Sequence, residues 1–273
     1  MPEAPEVQTV VSTLETQIKG QRIEEVLVYY PKIIETDSFV EQMTGQQLHT
    51  FSRWGKYLIL GLDDYDWIIH LRMEGRFYLY EQCPKEQKHI HVAFRLSDGR
   101  YLCYHDTRKF GRMGLYRKEN DWSLYPPLSK LGPDYSDMQW DADALYRAIH
   151  SAKRPLKSAL LDQRIVAGIG NIYADEICFA CRLDPRSRCT RISKQDCENI
   201  VFHTRRILEQ ATASGGTTIR TYTSSLGISG RFQMQLRIHD RKGQNCPVCQ
   251  RPIEKITVAQ RGTYLCRHCQ KRK

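Results

Sequence analysis

The chain has 273 residues, 41% hydrophobic and 26% charged, the balance of a globular protein long enough for two domains. No run of about 18 apolar residues is present, which excludes a transmembrane helix. The first residues lack the basic and apolar regions of a secretory signal, so a cytoplasmic location is expected. Its 41 Lys and Arg exceed 31 Asp and Glu by ten, which favours a polyanionic partner.

The first stretch, Met1-Pro2-Glu3-Ala4-Pro5-Glu6-Val7, leads into apolar residues Val7, Val10, Val11, Leu14 and Ile18 at helical spacing, with Gly20 as a stop. Pro5 suits a first helical turn, and Glu3 and Glu6 suit the positive end of the helix dipole. From about residue 22 to 116 the pattern is strand-like, as in Ile23–Tyr30, Tyr57–Leu62, Trp67–Leu71, Phe77–Tyr80, His91–Leu96 and Tyr101–Tyr104. Turn signals such as Asp98-Gly99 separate these runs, which predicts an antiparallel sandwich or flattened barrel with the first helix packed on it. Residues 118–136, with Pro126-Pro127 and Gly132-Pro133, read as a linker. Apolar faces at Leu145, Ile149, Leu156, Leu160, Leu161, Ile177 and Ile207 make 137–214 helical, and Gly215-Gly216 closes it. A polar loop, Thr217–Gly230, follows. Two short strands are then expected, one near Phe232–Ile238 and one within the cysteine-bearing end.

Four features carry chemistry. Cys246, Cys249, Cys266 and Cys269 form C-x2-C, a gap of 16, and C-x2-C, the spacing of a zinc site. From Arg241 to Lys273 nine Lys and Arg face a single acid, Glu254, so this end is strongly basic even with a zinc dication on four thiolates. Cys178 and Cys181 also form C-x2-C, but on an apolar helical pattern with no second pair, and read as buried structural thiols. Gly168-Ile169-Gly170-Asn171 permits a tight turn in which Asn171 caps the next helix and the helix-start amides suit a phosphate. Two loop tips, His70–Arg76 and Asp106–Gly111, place Met73 and Phe110 among arginines, as proteins do that wedge apart a duplex step.

Pro2-Glu3-Ala4-Pro5-Glu6-Val7, Gly55-Lys56, His70-Leu71-Arg72-Met73-Glu74-Gly75, Arg108-Lys109-Phe110-Gly111, Gly168–Tyr173 and the four-cysteine end occur in this order. Together they span the chain, which closely resembles the bacterial formamidopyrimidine-DNA glycosylases, also called 8-oxoguanine DNA glycosylase/AP lyases. It departs from them in Ala4 and Gln8, where Leu and Glu are common. The resemblance implies an α+β fold: an N-terminal antiparallel β-sandwich with flanking helices (1–117), the linker (118–136), a helical helix–two-turn–helix DNA-binding domain (137–231) with a base-covering loop at 217–230, and a zinc β-hairpin (232–273).

It also implies roles. Met1 is removed, and the Pro2 amine attacks C1′ of an oxidised purine nucleotide. The expected pKa of that amine is lowered by the helix dipole and nearby cations and raised by Glu3 and Glu6. Glu3 is the acid/base, with Lys56 and Arg261 in the catalytic set. Met73, Arg108 and Phe110 fill the space of the extruded base, Arg108 facing the orphaned cytosine. Lys56, His70, Asn171 and Arg261 clamp phosphates, with His89 and Lys153 as further DNA contacts. Arg220 and Tyr222 close over the flipped base, and Glu6 and Glu74 support the site. One structural Zn2+ on the four cysteines is implied, as is a monomer acting on double-stranded DNA with an oxidised purine or abasic site, in the cytoplasm at the nucleoid. An endonuclease VIII-type glycosylase shares the N-terminal proline, and a non-catalytic zinc DNA-binding protein would explain the basic end. The Met73 and Arg108/Phe110 pattern argues against the first, and the second leaves Pro2-Glu3 without a purpose.

Overall fold

A computed structural model of the chain describes residues 1–83, 88–217 and 232–273. They fall into two compact units. One comprises Met1–Ser129 with 215–217, and the other Lys130–Ser214 with 232–273.

The first unit begins with α1 (Ala4–Ile18), whose Val7, Val10, Val11, Leu14 and Ile18 are each no more than 2% exposed. The expected amphipathic helix is therefore present, and Gly20 leaves it at φ +81°. Strand β1 (Ile23–Val28), the short helix α2 (Phe39–Met43) and seven further strands follow: β2 (Thr50–Trp54), β3 (Tyr57–Gly61), β4 (Tyr65–His70), β5 (Arg76–Tyr80), β6 (Ile90–Leu96), β7 (Tyr101–His105) and β8 (Arg112–Arg117). They pair antiparallel into two four-stranded sheets, ordered β1-β6-β7-β5 and β2-β3-β4-β8.

Alternate residues of both sheets meet in one core. Trp67 of β4 lies 4.7 Å from Phe94 of β6 and 5.8 Å from Phe77 of β5, ring centre to ring centre. A register shift between Ile90 and Val92 turns Ile90 to the opposite face, where it packs with Ala93 and Cys103. The edge strands β2 and β8 carry Arg53, Arg112 and Arg117, so apolar alternation marks them weakly. The segment read as a linker is packed rather than loose up to residue 129. There Leu128 is buried, and Tyr125 donates to Asp66 Oδ2 at 2.6 Å.

The second unit contains α3 (Ala142–Ile149), α4 (Leu156–Leu160), α5 (Asn171–Ala180) and α6 (Lys194–Ala213), followed by the antiparallel pair β9 (Glu254–Val258) and β10 (Arg261–Leu265). The strand expected near Phe232–Ile238 is absent. Phe232–Gln235 is a 3-10 turn, and the N–H groups of Arg237, Ile238 and His239 donate to the buried Glu176 carboxylate at 2.9–3.1 Å instead of to a sheet neighbour. Burial pushes the Glu176 pKa up, and those three bonds oppose the shift.

Candidate active site and nucleic-acid interface

The start of α1 builds the first part of the site. Glu3 is the N-cap. Its side chain accepts from the Glu6 backbone, and its own N–H donates to Glu6 Oε2 at 2.9 Å, a reciprocal capping box. The other Glu6 oxygen accepts from Thr217 N at 2.7 Å and Thr217 Oγ1 at 2.8 Å. Glu6 thus ties residue 217 to the helix start. Pro2, Glu3 and Glu6 are all buried.

The α-amine at this point, carried by Met1, has its pKa lowered first by burial, against the fields of Glu3, Glu6 and Glu74, with Lys56 assisting the lowering. The sequence pointed to the dipole and cations as the depressing force. Desolvation is the larger cause, and it is invisible in sequence. Lys56 is only 5% exposed. It sits in the two-residue turn between β2 and β3, whose Gly55 takes φ +59°.

His70 closes β4. Its Nδ1 accepts from Arg72 N at 3.0 Å, and its ring stands edge-on to Tyr57 at 4.5 Å. Burial, with the Arg72 and Lys56 charges, pushes its pKa down to about 3. His70 is therefore neutral at physiological pH with its proton on Nε2, so it can offer a phosphate a hydrogen bond but no charge.

Both tips expected to wedge the duplex stand out from the core: Met73 is 37% and Phe110 48% exposed. Arg108 is exposed and its guanidinium lies 4.7 Å from the Phe110 ring centre. Each tip contains a non-glycine residue in the left-handed region, Arg72 at φ +55° and Lys109 at +58°. His89, at φ +75°, is half-buried with its ring 5.5 Å from that of His105. The second tip is organised by Asp106, which is fully buried and accepts from Arg108 N, Phe110 N and Gly111 N at 2.8–2.9 Å. In sequence this aspartate reads as an ordinary turn residue.

In the second unit, Lys153 and Arg261 are exposed. Asn171 does not cap α5. Gly170 is the N-cap, and Asn171, the first helical residue, donates through Nδ2 to Gly262 O at 3.2 Å. The adjoining hairpin turn places Ala259 at φ +45° and Gln260 at +62°, immediately before Arg261. The fully buried Lys157 anchors that hairpin. Its ammonium reaches Asp175 Oδ1 at 2.6 Å, Thr263 Oγ1 at 2.9 Å and Gly262 O at 3.1 Å. Asp175 Oδ2 accepts from His239 Nδ1 at 2.7 Å and from Tyr264 N at 3.2 Å. Lys157, Asp175 and Glu176 escape sequence reasoning because lysines and acids on helices read as solvated.

The sulfurs of Cys246, Cys249, Cys266 and Cys269 lie within 4.8 Å of one another, and two of the separations are 3.4 and 3.8 Å. Four thiolates about 2.3 Å from a tetrahedral Zn2+ stand about 3.8 Å apart, so the donor set fits one closed structural zinc. Burial pushes the Cys178 thiol up and Cys181 up to about 12, the reverse of the low pKa of a redox-active pair. Arg220, Tyr222 and most of the 217–230 loop lie outside the described residues.

Known proteins resemble the chain over its whole length. Residues 1–113 match the formamidopyrimidine-DNA glycosylase N-terminal domain, 131–223 the H2TH domain of the same enzymes, and 243–272 the zinc finger found in FPG and IleRS. The formamidopyrimidine-DNA glycosylase of Listeria innocua is 39% identical, covering 99% of this chain and 100% of that protein. That of Streptococcus pneumoniae is 40% identical over the full length of both. Two solved structures of Lactococcus lactis Fpg each cover 99% of this chain and 100% of their own at 33% identity. One, with DNA containing N7-benzyl-Fapy-dG, has a TM-score of 0.92. The other, with DNA containing an abasic site, has 0.91. By likeness over its whole length, in sequence and in fold, the chain belongs to the formamidopyrimidine-DNA glycosylase family.

Proposed function

We propose that the chain is a bifunctional DNA glycosylase and AP lyase of base excision repair that removes oxidised purines, 8-oxoguanine and formamidopyrimidines, from double-stranded DNA. The observation that carries this reading is the start of α1, where Pro2, Glu3 and Glu6 are buried together and the charges of Glu3, Glu6, Glu74 and Lys56 act on the α-amine. Removal of Met1 leaves Pro2 with a secondary amine. At this locus burial and Lys56 lower the pKa of the chain's α-amine and so favour the free base, against the fields of Glu3, Glu6 and Glu74. Its lone pair attacks C1′, and the bond to the base breaks with its electron pair going to the leaving base, which takes up a proton. Loss of the ring oxygen from C1′, with Glu3 moving the proton, gives an iminium. That cation acidifies the 2′ hydrogen, and successive eliminations expel the 3′ and 5′ phosphates.

Lys56 and Arg261 supply cations for those phosphates, and His70, His89, Lys153 and Asn171 further backbone contacts. Met73 and Phe110 occupy the emptied space, and Arg108 presents its planar fork to the orphaned cytosine. The zinc holds the hairpin, since four thiolates leave it no open position for substrate. We take 1–117 as the catalytic domain, 137–231 as the helical DNA-binding domain and 232–273 as the zinc hairpin. No described helix is long and apolar enough to cross a membrane. We infer a monomer working at the bacterial nucleoid in the cytoplasm.

Borohydride reduction during reaction with a duplex carrying 8-oxoguanine opposite cytosine tests this reading. One chain becomes linked per strand, and peptide mapping places the link on Pro2. A link on Lys56 overturns the mechanism, and faster cutting of oxidised thymines points to an endonuclease VIII-type enzyme instead.

A further inference from the structure

We propose that Asp106 is a positioning residue for opposite-base recognition: its buried carboxylate fixes the Arg108–Gly111 backbone before DNA arrives. The inference rests on the reading that Arg108 faces the orphaned base. Three observations support it.

The first is the division of labour between the two carboxylate oxygens. Oδ1 accepts from Arg108 N at 2.9 Å, while Oδ2 accepts from Phe110 N at 2.9 Å and Gly111 N at 2.8 Å. A carboxylate with no exposed surface is costly unless its charge is met, and here three backbone donors meet it with charge-assisted bonds. The carbonyl of Asp106 is also held, by His91 Nε2 at 2.7 Å. One residue therefore controls the start and the end of the tip.

The second is Lys109, which lies between the reading residue and the wedge. Its left-handed backbone, at φ +58°, is strained for a residue that carries a Cβ. Its ammonium lies 4.6 Å from the centre of the Tyr30 ring, and that ring packs 5.4 Å from His91. Lys109 is thus a tether that turns Arg108 and Phe110 outward on either side of it.

The third is Tyr104, fully buried beneath both tips. A Cβ at Gly111 would fall 1.7 Å from its hydroxyl oxygen, and one at Gly75 would fall 2.2 Å from the same atom. Both loops approach this hydroxyl more closely than any side chain permits, so the Met73 tip and the Arg108 tip share one support. A wedge ordered in advance loses less entropy on insertion.

Asp106→Asn separates the functions. Asparagine has one oxygen. If that oxygen keeps Phe110 N and Gly111 N, the amide NH2 confronts the Arg108 N–H, donor against donor. Single-turnover cutting of 8-oxoguanine opposite cytosine and opposite adenine is compared for wild type, Asp106→Asn, Arg108→Ala and the double variant. In Asp106→Asn the cytosine-to-adenine ratio falls on the order of tenfold, chiefly through slower cutting opposite cytosine, and the double variant has the ratio of Arg108→Ala alone. If Arg108→Ala narrows the ratio while Asp106→Asn leaves it intact, or slows both duplexes equally, the inference is overturned. If Arg108→Ala itself changes nothing, the cytosine reading fails instead. Amide exchange in the wild type then decides the positioning role, and also decides it if the variant does not fold. The Arg108, Phe110 and Gly111 amides exchange on the order of a hundredfold slower than an open chain. Exchange at open-chain rates overturns the role.

Discussion

Arg108 and Arg261 are both exposed arginines beside tight turns with left-handed non-glycine residues, yet the molecule holds them by different means. The Arg108 tip rises from a sandwich whose core includes Trp67, Phe77, Phe94 and Tyr104. With that mass beneath it, one buried carboxylate is enough to set the loop. The Arg261 turn belongs to a hairpin whose buried cluster is Phe179, Ile238, Cys246, Ile253, Tyr264 and Cys266, of which two are metal ligands. So small a core cannot order a loop alone. There a metal and a buried lysine replace apolar mass. Presenting a cation rigidly needs a foundation, and the chemistry of the foundation follows from the amount of core available.

Removing the metal breaks the comparison most severely. Structural zinc contributes about 10–16 kcal/mol to folding of small fingers, far more than the stability of such a hairpin. Chelation, or Cys246→Ser, is expected to release zinc and abolish stable DNA binding in gel shift, while the Met1–Ser129 unit keeps its thermal transition. Unchanged binding and cutting by the metal-free protein would show that the hairpin needs no staple.

The buried lysine comes next. Lys157→Met leaves the Asp175 carboxylate buried beside His239 without its closest cation. Losing one partner of a buried pair costs about 3–5 kcal/mol. Denaturant unfolding should show that loss, and zinc should remain bound because none of the sulfurs is touched. A variant as stable as wild type would mean that the metal alone carries the hairpin.

How much of this was legible beforehand follows from the range of each interaction. Helix α1, most strands and the zinc site depend on local periodicity or spacing, and the sequence carries those directly. The Phe232–Ile238 segment misleads because its apolar residues alternate like a strand, while its backbone donors go to Glu176, a residue some 60 positions away. Lys157 meets Thr263 across 106 positions, and no local pattern announces such a pair. Family motifs mark the residues expected to do the chemistry and the wedging. The groups that hold them, Asp106, Lys157 and Glu176, carry no such mark, because a buried charge looks like a surface charge until its partners are known.

His70 sharpens the contrast between charged and neutral holders. Its folded pKa of about 3 lies below the ordinary 6.5. Between those values the unfolded chain binds a proton that the folded chain refuses, so stability is full above pH 6.5 and falls as the pH drops towards 3. The slope approaches roughly 1.4 kcal/mol per pH unit. Denaturant titrations at pH 7.5 and 5 should show this loss in wild type and much less of it in His70→Gln. Because the ring carries no charge at pH 7, the variant should weaken DNA binding without changing the slope of log affinity against log salt. A shallower slope would mean that His70 binds phosphate as a cation.

The smallest expected effect compares the two tips with each other. Met73 has no polar group to read a base, and only 37% of its surface is exposed to be buried by DNA. Covering that fraction of a methionine is worth roughly 1 kcal/mol, about fivefold in rate or affinity. Met73→Ala should therefore slow single-turnover cutting about fivefold opposite cytosine and opposite adenine alike, leaving the ratio of the two unchanged. Arg108→Ala should do the reverse, lowering the ratio by 1–3 kcal/mol, about 5- to 150-fold. The shared Tyr104 support makes one further demand. If the tips insert as a single body, Met73→Ala combined with Phe110→Ala should slow cutting by a factor different from the product of the single losses. Simple multiplication would mean that each tip enters the duplex independently, despite the hydroxyl lodged between Gly75 and Gly111.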